Sequence, residues 1–594
     1  MSTTGRSARV RAPELAGGEW LNTTRALSLR DLRGRFVLVD FWSSCCGNCL
    51  HVIDELRGLE ASHADVLTVV GVHSPKFPHE RELRVVADAV ARNEIAHPVR
   101  NDPDMRLWQQ YAVRAWPTLV LIDPEGYVVA QAAGEGQVSG LTAVLDELVT
   151  EHERRGTLRR GTFADVAPTD TAAADDLRFP AKAIALPAAR TGRVADSLLV
   201  ADAGHHQLVE LAADGHTVLR RLGTSGRGAP FTEPNGLTLL PAGLVDYDVL
   251  VADTAAHALF GVRLADGAVV KRIDLAAALA ALETVTGAVP PVPSPWDVAW
   301  WPALGRVVVA AAGVHLLLSV DPTDEAVAIL AGTTVEGLRD GDALDAWLAQ
   351  PSGLAVDGQR VWFVDAESSA VRFLDTAGQV HTAVGEGLFD FGHVDGPAAQ
   401  ARLQHPLGVT LLDDGSLAVA DTYNGAVRRL AGGTLTTLAS GLAEPSGVAL
   451  VDGTAYVVES AAHRLTPLDV YADAAVVDGA AERSVRPVTE IAAGAVALRI
   501  VFEPAPGRTL DDRYGPATAL SVSASPPQLL RSGGGDGAEL TRELDLAPGA
   551  GTLHVTARAA SCDDSACYLA RQDWGVPVRV GDGGTATLDL VLSE

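Results

Sequence analysis

The run Val37-Leu38-Val39-Asp40-Phe41-Trp42 is apolar and rich in β-branched residues, and a few residues later the chain reads Cys46-Gly47-Asn48-Cys49. Beyond it, apolar side chains return at helical spacing: Leu50, Val52, Ile53, Leu56 and Leu59. This pattern predicts a buried strand that delivers a cysteine to the first turn of a helix. Backbone N–H groups at a helix start are unpaired and the helix dipole favours negative charge, so a thiol placed there ionises more readily. The second cysteine follows about one helical turn later, within reach to close a disulfide. Spacing of this kind beside alternating strands and helices points to redox chemistry. Two other readings stay open. A zinc site needs four ligands, and neither a second C-x-x-C nor a pair of histidines stands nearby; a retained fold with little activity is the third possibility.

All five cysteines of the 594-residue chain fall in two clusters, Cys45, Cys46 and Cys49, then Cys562 and Cys567. In a reducing compartment such clusters are more often catalytic or metal-binding than structural. For Cys562 and Cys567, a redox pair competes with a local staple and with free thiols or a metal site; closing so short a loop stabilises by only about 2 kcal/mol. With 75 acidic against 47 basic residues and a net charge of −28, nucleic acid and anionic membranes are poor partners. Residues 1–20 carry arginines without an apolar core, unlike a secretory leader. The longest largely apolar stretch, residues 307–320, is shorter than the roughly 20 residues of a membrane helix. The expectation is a soluble cytoplasmic protein without cofactor or metal.

Residues 12–150 alternate strands (67–72 and 118–122) with amphipathic helices (80–93 and 141–152), which predicts a mostly parallel α/β sheet. The segment 73–79 follows a strand end, where such sheets carry their sites. A polar linker spans 151–178. From 179 to 475 a unit recurs in which an apolar strand ends in an acid before a short polar turn: Ala201-Asp202, Ala252-Asp253, Val364-Asp365, Ala420-Asp421 and Val458-Glu459. A further copy, Ala310-Ala311, lacks the acid. Ahead of most units stands a proline lead-in, such as Pro234-Asn235-Gly236 or Pro445-Ser446-Gly447. Short-stranded repeats of about 40–55 residues mean a β-propeller, here of six blades. The acids and histidines of these turns read as structural, carboxylates accepting backbone N–H groups. Residues 486–594 give short strands split by Gly/Pro turns, a β-sandwich pattern.

Asp40-Phe41-Trp42 with Cys45-Cys46-Gly47-Asn48-Cys49, and later Arg114-Ala115-Trp116-Pro117-Thr118, resemble the active-site segments of thioredoxin-fold proteins. The Cys-Cys-x-Asn-Cys form, the Pro-x-Gly-Val and Ala-Asp-Thr-x-Asn elements, and the inserts 337–341 and 391–396 resemble the NHL-repeat-containing thioredoxin-like proteins. That resemblance implies Cys46 as attacking thiol, Cys49 as resolving thiol, Asp40 as a buried carboxylate assisting proton transfer at Cys49, and Pro117 in cis facing the pair. Cys45 departs from the ordinary thioredoxin pattern, which has tryptophan there, so a third sulfur could compete for the disulfide. The stretch around Cys562 and Cys567 resembles the cysteine loop in the amino-terminal domain of DsbD-type transporters. The function expected is dithiol–disulfide exchange on a protein substrate or redox partner held by the propeller, with an internal relay to the distal cysteines. The alternative is a non-enzymatic redox-sensing or protein-interaction scaffold.

Overall fold

In the computed structural model the described residues are 10–15, 17–163, 166–167, 177–223, 230–284, 287–388, 390–471, 476–483, 488–502, 504, 508–510, 516–525, 527–562, 567–581 and 583–592, without side chains at 287–288, 478–483, 525, 527, 536, 562 and 567–573. Two compact units emerge, residues 1–171 with 485–594, and residues 172–484.

The amino-terminal part of the first unit is one sheet of β1 (Trp20–Leu21), β2 (Phe36–Trp42), β3 (Leu67–His73), β4 (Val99–Asn101), β5 (Thr118–Ile122) and β6 (Val128–Ala133), in the order β1-β4-β3-β2-β5-β6. Its helices are α1 (Gly47–Ser62), α2 (Leu83–Arg92), α3 (Arg106–Gln110) and α4 (Val138–Arg155). Strand β2 lies in the middle and is buried along its whole length. Its alternating side chains split two cores. Phe36 and Leu38 pack with Val52 and Leu56 of α1 and Leu141 and Leu145 of α4, while Val37, Val39 and Phe41 pack with Leu107 and Trp108 of α3. The expected mostly parallel sheet is in fact mixed. Only β2-β3-β4 run parallel; β5 and β6 form a hairpin, because their short connection cannot make a crossover. The helix expected over 80–93 is also divided, into a 3-10 turn (Pro78–Arg81) and α2. Glu80 accepts the Lys76 and Phe77 N–H groups at 2.8 and 2.9 Å, which winds that turn tightly. Helix α4 runs past the expected boundary to Arg155 and ends at Gly156 in the left-handed region. Residues of the expected linker are tied back by Arg159 N–H to Gly34 O at 2.7 Å and Ala167 N–H to Asn22 O at 3.0 Å.

Among the described residues the second unit holds eight antiparallel sheets, two of them two-stranded and the other six, of three to five strands, following one another along the chain. Their first strands are Pro180–Leu186, Pro234–Leu239, Pro295–Trp301, Pro351–Val356, Gly408–Leu411 and Pro445–Val451. Neighbouring first strands lie side by side in chain order, and the sixth lies against the first, so the series closes on itself. Each acid-turn carboxylate fastens the lead-in to its own sheet: Asp202 accepts Arg178 N–H at 2.6 Å, Asp365 Ala349 N–H at 2.7 Å, Asp421 Gln404 N–H at 2.7 Å and Glu459 Ala443 N–H at 2.9 Å. The residue after the turn adopts positive φ and reaches the following sheet. His257 Nδ1 accepts Ser294 N–H (3.2 Å), His315 Nδ1 Gln350 N–H (3.2 Å), Ser369 Oγ His405 N–H (3.1 Å), and His463 Nδ1 Phe179 N–H (3.0 Å), this last bond joining the sixth sheet to the first. The inserts act in the same way. Asp340 and Asp395 pair with the fully buried Arg372 and Arg428, which also bind Asp365 and Asp421. Strand Asp390–Val394 pairs with Asp478–Arg483, beyond the expected end of the repeats at 475.

Two residues after the lead-in proline, four sheets carry glycine (Gly236, Gly353, Gly408 and Gly447) and two carry Lys182 and Asp297. A Cβ on Gly236 would meet Asp297 Cα at 2.4 Å, and one on Gly353 the Cα of Gly408 at 2.7 Å. There is no room for a side chain at those two positions or at Gly408, where a Cβ would meet Ser446 O at 2.3 Å, whereas nothing lies within 4 Å of a Cβ on Gly447. Lys182 and Asp297 instead form an ion pair at 2.5 Å, and Asp297 also accepts Leu354 N–H at 2.8 Å, so one carboxylate ties three sheets.

The carboxyl-terminal part of the first unit is two sheets, Thr489–Ala492, Cys567–Gly581, Gly549–Cys562, Thr518–Ser525 and Gly535–Gly537 in one, with Thr509–Leu510 on Gly549–Cys562, and Leu530–Ser532, Thr541–Leu546, Gly494–Phe502 and Thr587–Leu592 in the other. Val496, Leu498, Leu520, Leu553, Val555, Val578 and Leu590 belong to their common core.

The Lys182–Asp297 pair yields a test. Lys182→Met leaves the Asp297 carboxylate buried without its cation and should cost on the order of 3 kcal/mol. Hydrogen exchange at the Leu354 amide should quicken in that variant. Adding Asp297→Asn, which keeps an acceptor but no charge, should recover most of the loss; wild-type exchange in Lys182→Met would show that the pair does not hold the ring.

Candidate functional site

Cys46 is the N-cap of α1, in extended conformation, and its Sγ accepts the Cys49 N–H at 3.3 Å. The two cysteines are joined as a disulfide, with Cα atoms 5.2 Å apart. The local sequence explains the arrangement. Strand β2 is held on both sides by β3 and β5, so its end is fixed, and α1 buries Cys49, Val52, Ile53, Leu56 and Leu59 along one stripe. Cys46 and Cys49 pack with Trp42, Ile53 and Val86, with Trp116 alongside. Trp116 stacks on Trp108 with ring centres 4.1 Å apart and donates Nε1–H to Ser74 O at 2.9 Å. The Trp116–Pro117 peptide is cis, and Pro117 is buried beside that ring.

Glu80, which the sequence reading passed over, organises the loop ahead of the cysteines. Its side chain is fully buried. Oε1 accepts the Ser43 and Ser44 hydroxyls, both at 2.7 Å, and Cys45 N–H at 3.1 Å. Oε2 accepts Lys76 N–H, Phe77 N–H and, at 3.6 Å, the Cys45 thiol. Burial opposes its ionisation, but the His73 imidazole and the two hydroxyls outweigh burial and hold its pKa well below the usual carboxylate range. A single carboxylate thus joins the residues before Cys46 to the loop after β3. Its signal in the sequence was weak: an acid one residue beyond the segment 73–79 already marked by its place at a strand end. Cys45 lies outside the disulfide and is buried, its thiol directed at Glu80 and Ser43.

Asp40 sits two residues before the end of β2, fully buried, and both its oxygens lack a hydrogen-bond partner. Burial raises its pKa to about 7, with the nearby Glu60 adding to the rise and His97 opposing it. A group poised there exchanges a proton at neutral pH, as an acid–base partner of a thiol must. A second acid and histidine cluster, Asp123, Glu125 and His152, brings one ligand atom of each within 4.8 Å. Asp123 Oδ1 already accepts the Glu125 and Tyr127 N–H groups, and His152 Nδ1 contacts Thr157 Oγ1 at 2.7 Å, which accounts for the cluster as a turn. Cys562 and Cys567 are register partners at the tip of the long hairpin Gly549–Cys562 and Cys567–Gly581; their side chains lie outside the described residues. Among the described residues no helix is long and apolar enough to cross a membrane.

Residues 34–128 match the thioredoxin-like family. They form a thioredoxin-like domain. The chain is 33% identical over 467 residues to NHL repeat-containing protein 2 of Bos taurus, covering 69% of this chain and 61% of that protein. It is 32% identical over 442 residues to Protein SUPPRESSOR OF QUENCHING 1, chloroplastic, of Arabidopsis thaliana, covering 69% of this chain and 40% of that one. This chain resembles the NHL-repeat-containing thioredoxin-like proteins, and it spans well under two thirds of the length of each of these two. Thiol-disulfide oxidoreductase YkuV of Bacillus subtilis is 25% identical over 144 residues, which are 24% of this chain and 95% of YkuV. The thioredoxin-like domain is therefore related to thiol–disulfide oxidoreductases.

Two outcomes follow. A carboxyl whose folded pKa is raised from 3.8 to about 7 adds stability below about pH 4 that is lost as pH rises through 7. Asp40→Asn should remove this dependence and unfold at higher denaturant than wild type at pH 8, with the disulfide intact, by an amount bounded at roughly 4 kcal/mol. At pH 4 the advantage should vanish. Glu80→Ala frees the Cys45 loop, so alkylation of Cys45, read by mass spectrometry, should rise at least tenfold, or about 1.4 kcal/mol of lost protection; unchanged labelling would show that Glu80 does not guard it.

Proposed function

We propose that the thioredoxin-like domain catalyses dithiol–disulfide exchange on a protein substrate, with Cys46 attacking and Cys49 resolving. The disulfide between Cys46 and Cys49 at the start of α1 carries this reading. In the reduced state the Cys46 thiolate attacks one sulfur of the substrate disulfide and expels the other as thiolate. Cys49 then passes its proton to Asp40 and attacks Cys46 Sγ, which restores the disulfide and releases the substrate as dithiol once its thiolates take up protons. Run backwards, the same steps oxidise a substrate dithiol.

On this reading the closed series of six sheets is a six-bladed NHL-type propeller that recruits the protein substrate, and the two carboxyl-terminal sheets are a β-sandwich. The turn carboxylates and histidines spent on backbone N–H groups favour a platform over a second active site. Cys562 and Cys567, opposite each other across a hairpin tip, form a further redox pair that accepts electrons from the first. The clustered cysteines favour a reducing, cytoplasmic setting.

The test uses the full chain. It should reduce insulin with dithiothreitol; Cys46→Ser should abolish that activity, while Cys45→Ser should keep most of it. Cys49→Ser removes the resolving thiol, so mass spectrometry should find Cys46 trapped with substrate and, without substrate, with Cys562 or Cys567 of the same chain. Turnover by Cys46→Ser would sink the exchange reading, and a trapped species without the distal cysteines would sink the relay. A wild-type chain that forms no mixed disulfide but still binds partners would favour the scaffold.

A further inference from the structure

Asp40 stands opposite Gly71 in the β2-β3 pairing, and Gly71 stands opposite Val99 of β4. A Cβ on Gly71 would meet Trp42 Nε1 at 3.0 Å, Val99 Cγ2 at 3.2 Å and His97 Nε2 at 3.3 Å. An indole nitrogen and an imidazole nitrogen thus converge on the space that a side chain at 71 would fill, on the strand beside Asp40. Asp40 Oδ1 and Oδ2, Trp42 Nε1 and His97 Nε2 are all buried, and none has a hydrogen-bond partner. Buried polar atoms left unpartnered in this part of the sheet call for an explanation, and a proton path supplies one. The other imidazole nitrogen, His97 Nδ1, points the opposite way, 3.2 Å from Glu60 Oε1. Glu60 lies on α1 with its side chain 28% exposed, whereas that of His97 is 3% exposed. His97, from the loop before β4, and Glu60, from α1, are the charged groups acting on Asp40 among the described residues.

We infer that His97, backed by Glu60, is a positioning residue that passes protons between the buried Asp40 and solvent. The inference rests on the exchange reading for its use, since Asp40 must be recharged at each turnover. When a dithiol reduces the Cys46–Cys49 disulfide, its thiolate attacks Cys46 Sγ, and the electron pair of the broken bond stays on Cys49. Cys49 takes the proton of Asp40. The second substrate thiol gives its proton to solvent, completes the substrate disulfide and expels Cys46 as thiolate. Asp40 regains its proton from His97 Nε2 while Nδ1 takes one from solvent through Glu60, and the opposite half-reaction runs the relay backwards and restores the first tautomer.

Two variants of the full chain test this, read by the infrared carboxyl band that Asp40→Asn deletes. His97→Gln removes the neighbour that lowers the Asp40 pKa, so the titration midpoint of that band should move up by about one pH unit. Glu60→Gln, on an exposed helix face, removes an anionic neighbour and should move it down. The same variants should slow reduction of the disulfide by dithiothreitol at pH 7, His97→Gln by at least about tenfold, with the neutral limb of its pH profile lost. Midpoints that stay put, or move together in one direction as a packing disturbance would make them, overturn the relay. A wild-type disulfide inert to dithiothreitol would sink the exchange reading, while the midpoints would still decide whether His97 and Glu60 govern Asp40.

Discussion

A carboxylate withdrawn from water must be given hydrogen-bond donors, and nearly every fixed point of this chain obeys that constraint. Glu80 collects two hydroxyls and three backbone N–H groups and so joins the segment before Cys46 to the loop after β3. In the repeat unit Asp365 and Asp421 each hold a lead-in N–H and a buried arginine. Both oxygens of each of these acids are engaged, by backbone N–H groups, hydroxyls or arginine. Asp40 is the contrast, equally buried and with neither oxygen satisfied. Its position is costly to folding, and that cost supports the proton-handling role proposed for it.

The strand, cysteine pair and helix were legible because the signals are local: the apolar run of β2, the C-x-x-C spacing, and the stripe from Cys49 to Leu59 all lie within 25 residues. The repeats were legible for the same reason, five of the six units declaring themselves by a strand ending in an acid. What escaped depends on distant partners. Glu80 looks like a surface acid of an amphipathic helix until residues 35 to 37 positions away close around it. His97 is a lone histidine before a proline, and only the pairing of β2, β3 and β4 brings it to the space beside Asp40. The sheet read as mostly parallel because alternation of strand and helix suggests crossovers, whereas the short link between β5 and β6 permits only a hairpin.

Cys45 shows how such placement settles an ambiguity that spacing cannot. Three sulfurs lie within five residues, and any two could in principle pair. Helix geometry separates them: Cys46 caps α1 and Cys49 is the third residue of its first turn, which brings their Cα atoms to 5.2 Å. Cys45 precedes the cap, and its thiol faces an ionised carboxylate that favours keeping its proton in place. A nucleophile must be a thiolate. The same backbone step that puts Cys46 on the positive end of the helix therefore puts Cys45 beside a fixed negative charge, in keeping with the proposed role of Cys46 as the attacking thiol.

The repeat unit applies a parallel logic to symmetry. The six first strands bring equivalent positions together; four of these are glycine, and at Gly236, Gly353 and Gly408 a Cβ would collide with the neighbouring strand. Larger residues are tolerated at the remaining two because they are Lys182 and Asp297, whose opposite charges satisfy each other in the confined space. Among the described residues, closure uses no exchanged strand. The sixth sheet meets the first through His463 and Phe179, the same kind of histidine-to-backbone bond that links the second sheet to the third and the third to the fourth. A ring sealed by a repeat of its own internal contact needs no special terminus. What distinguishes one sheet from another is then left to the positions where the repeat breaks, the axial ion pair and the two inserts bearing Asp340 and Asp395, and these fix the order in which otherwise interchangeable sheets can pack.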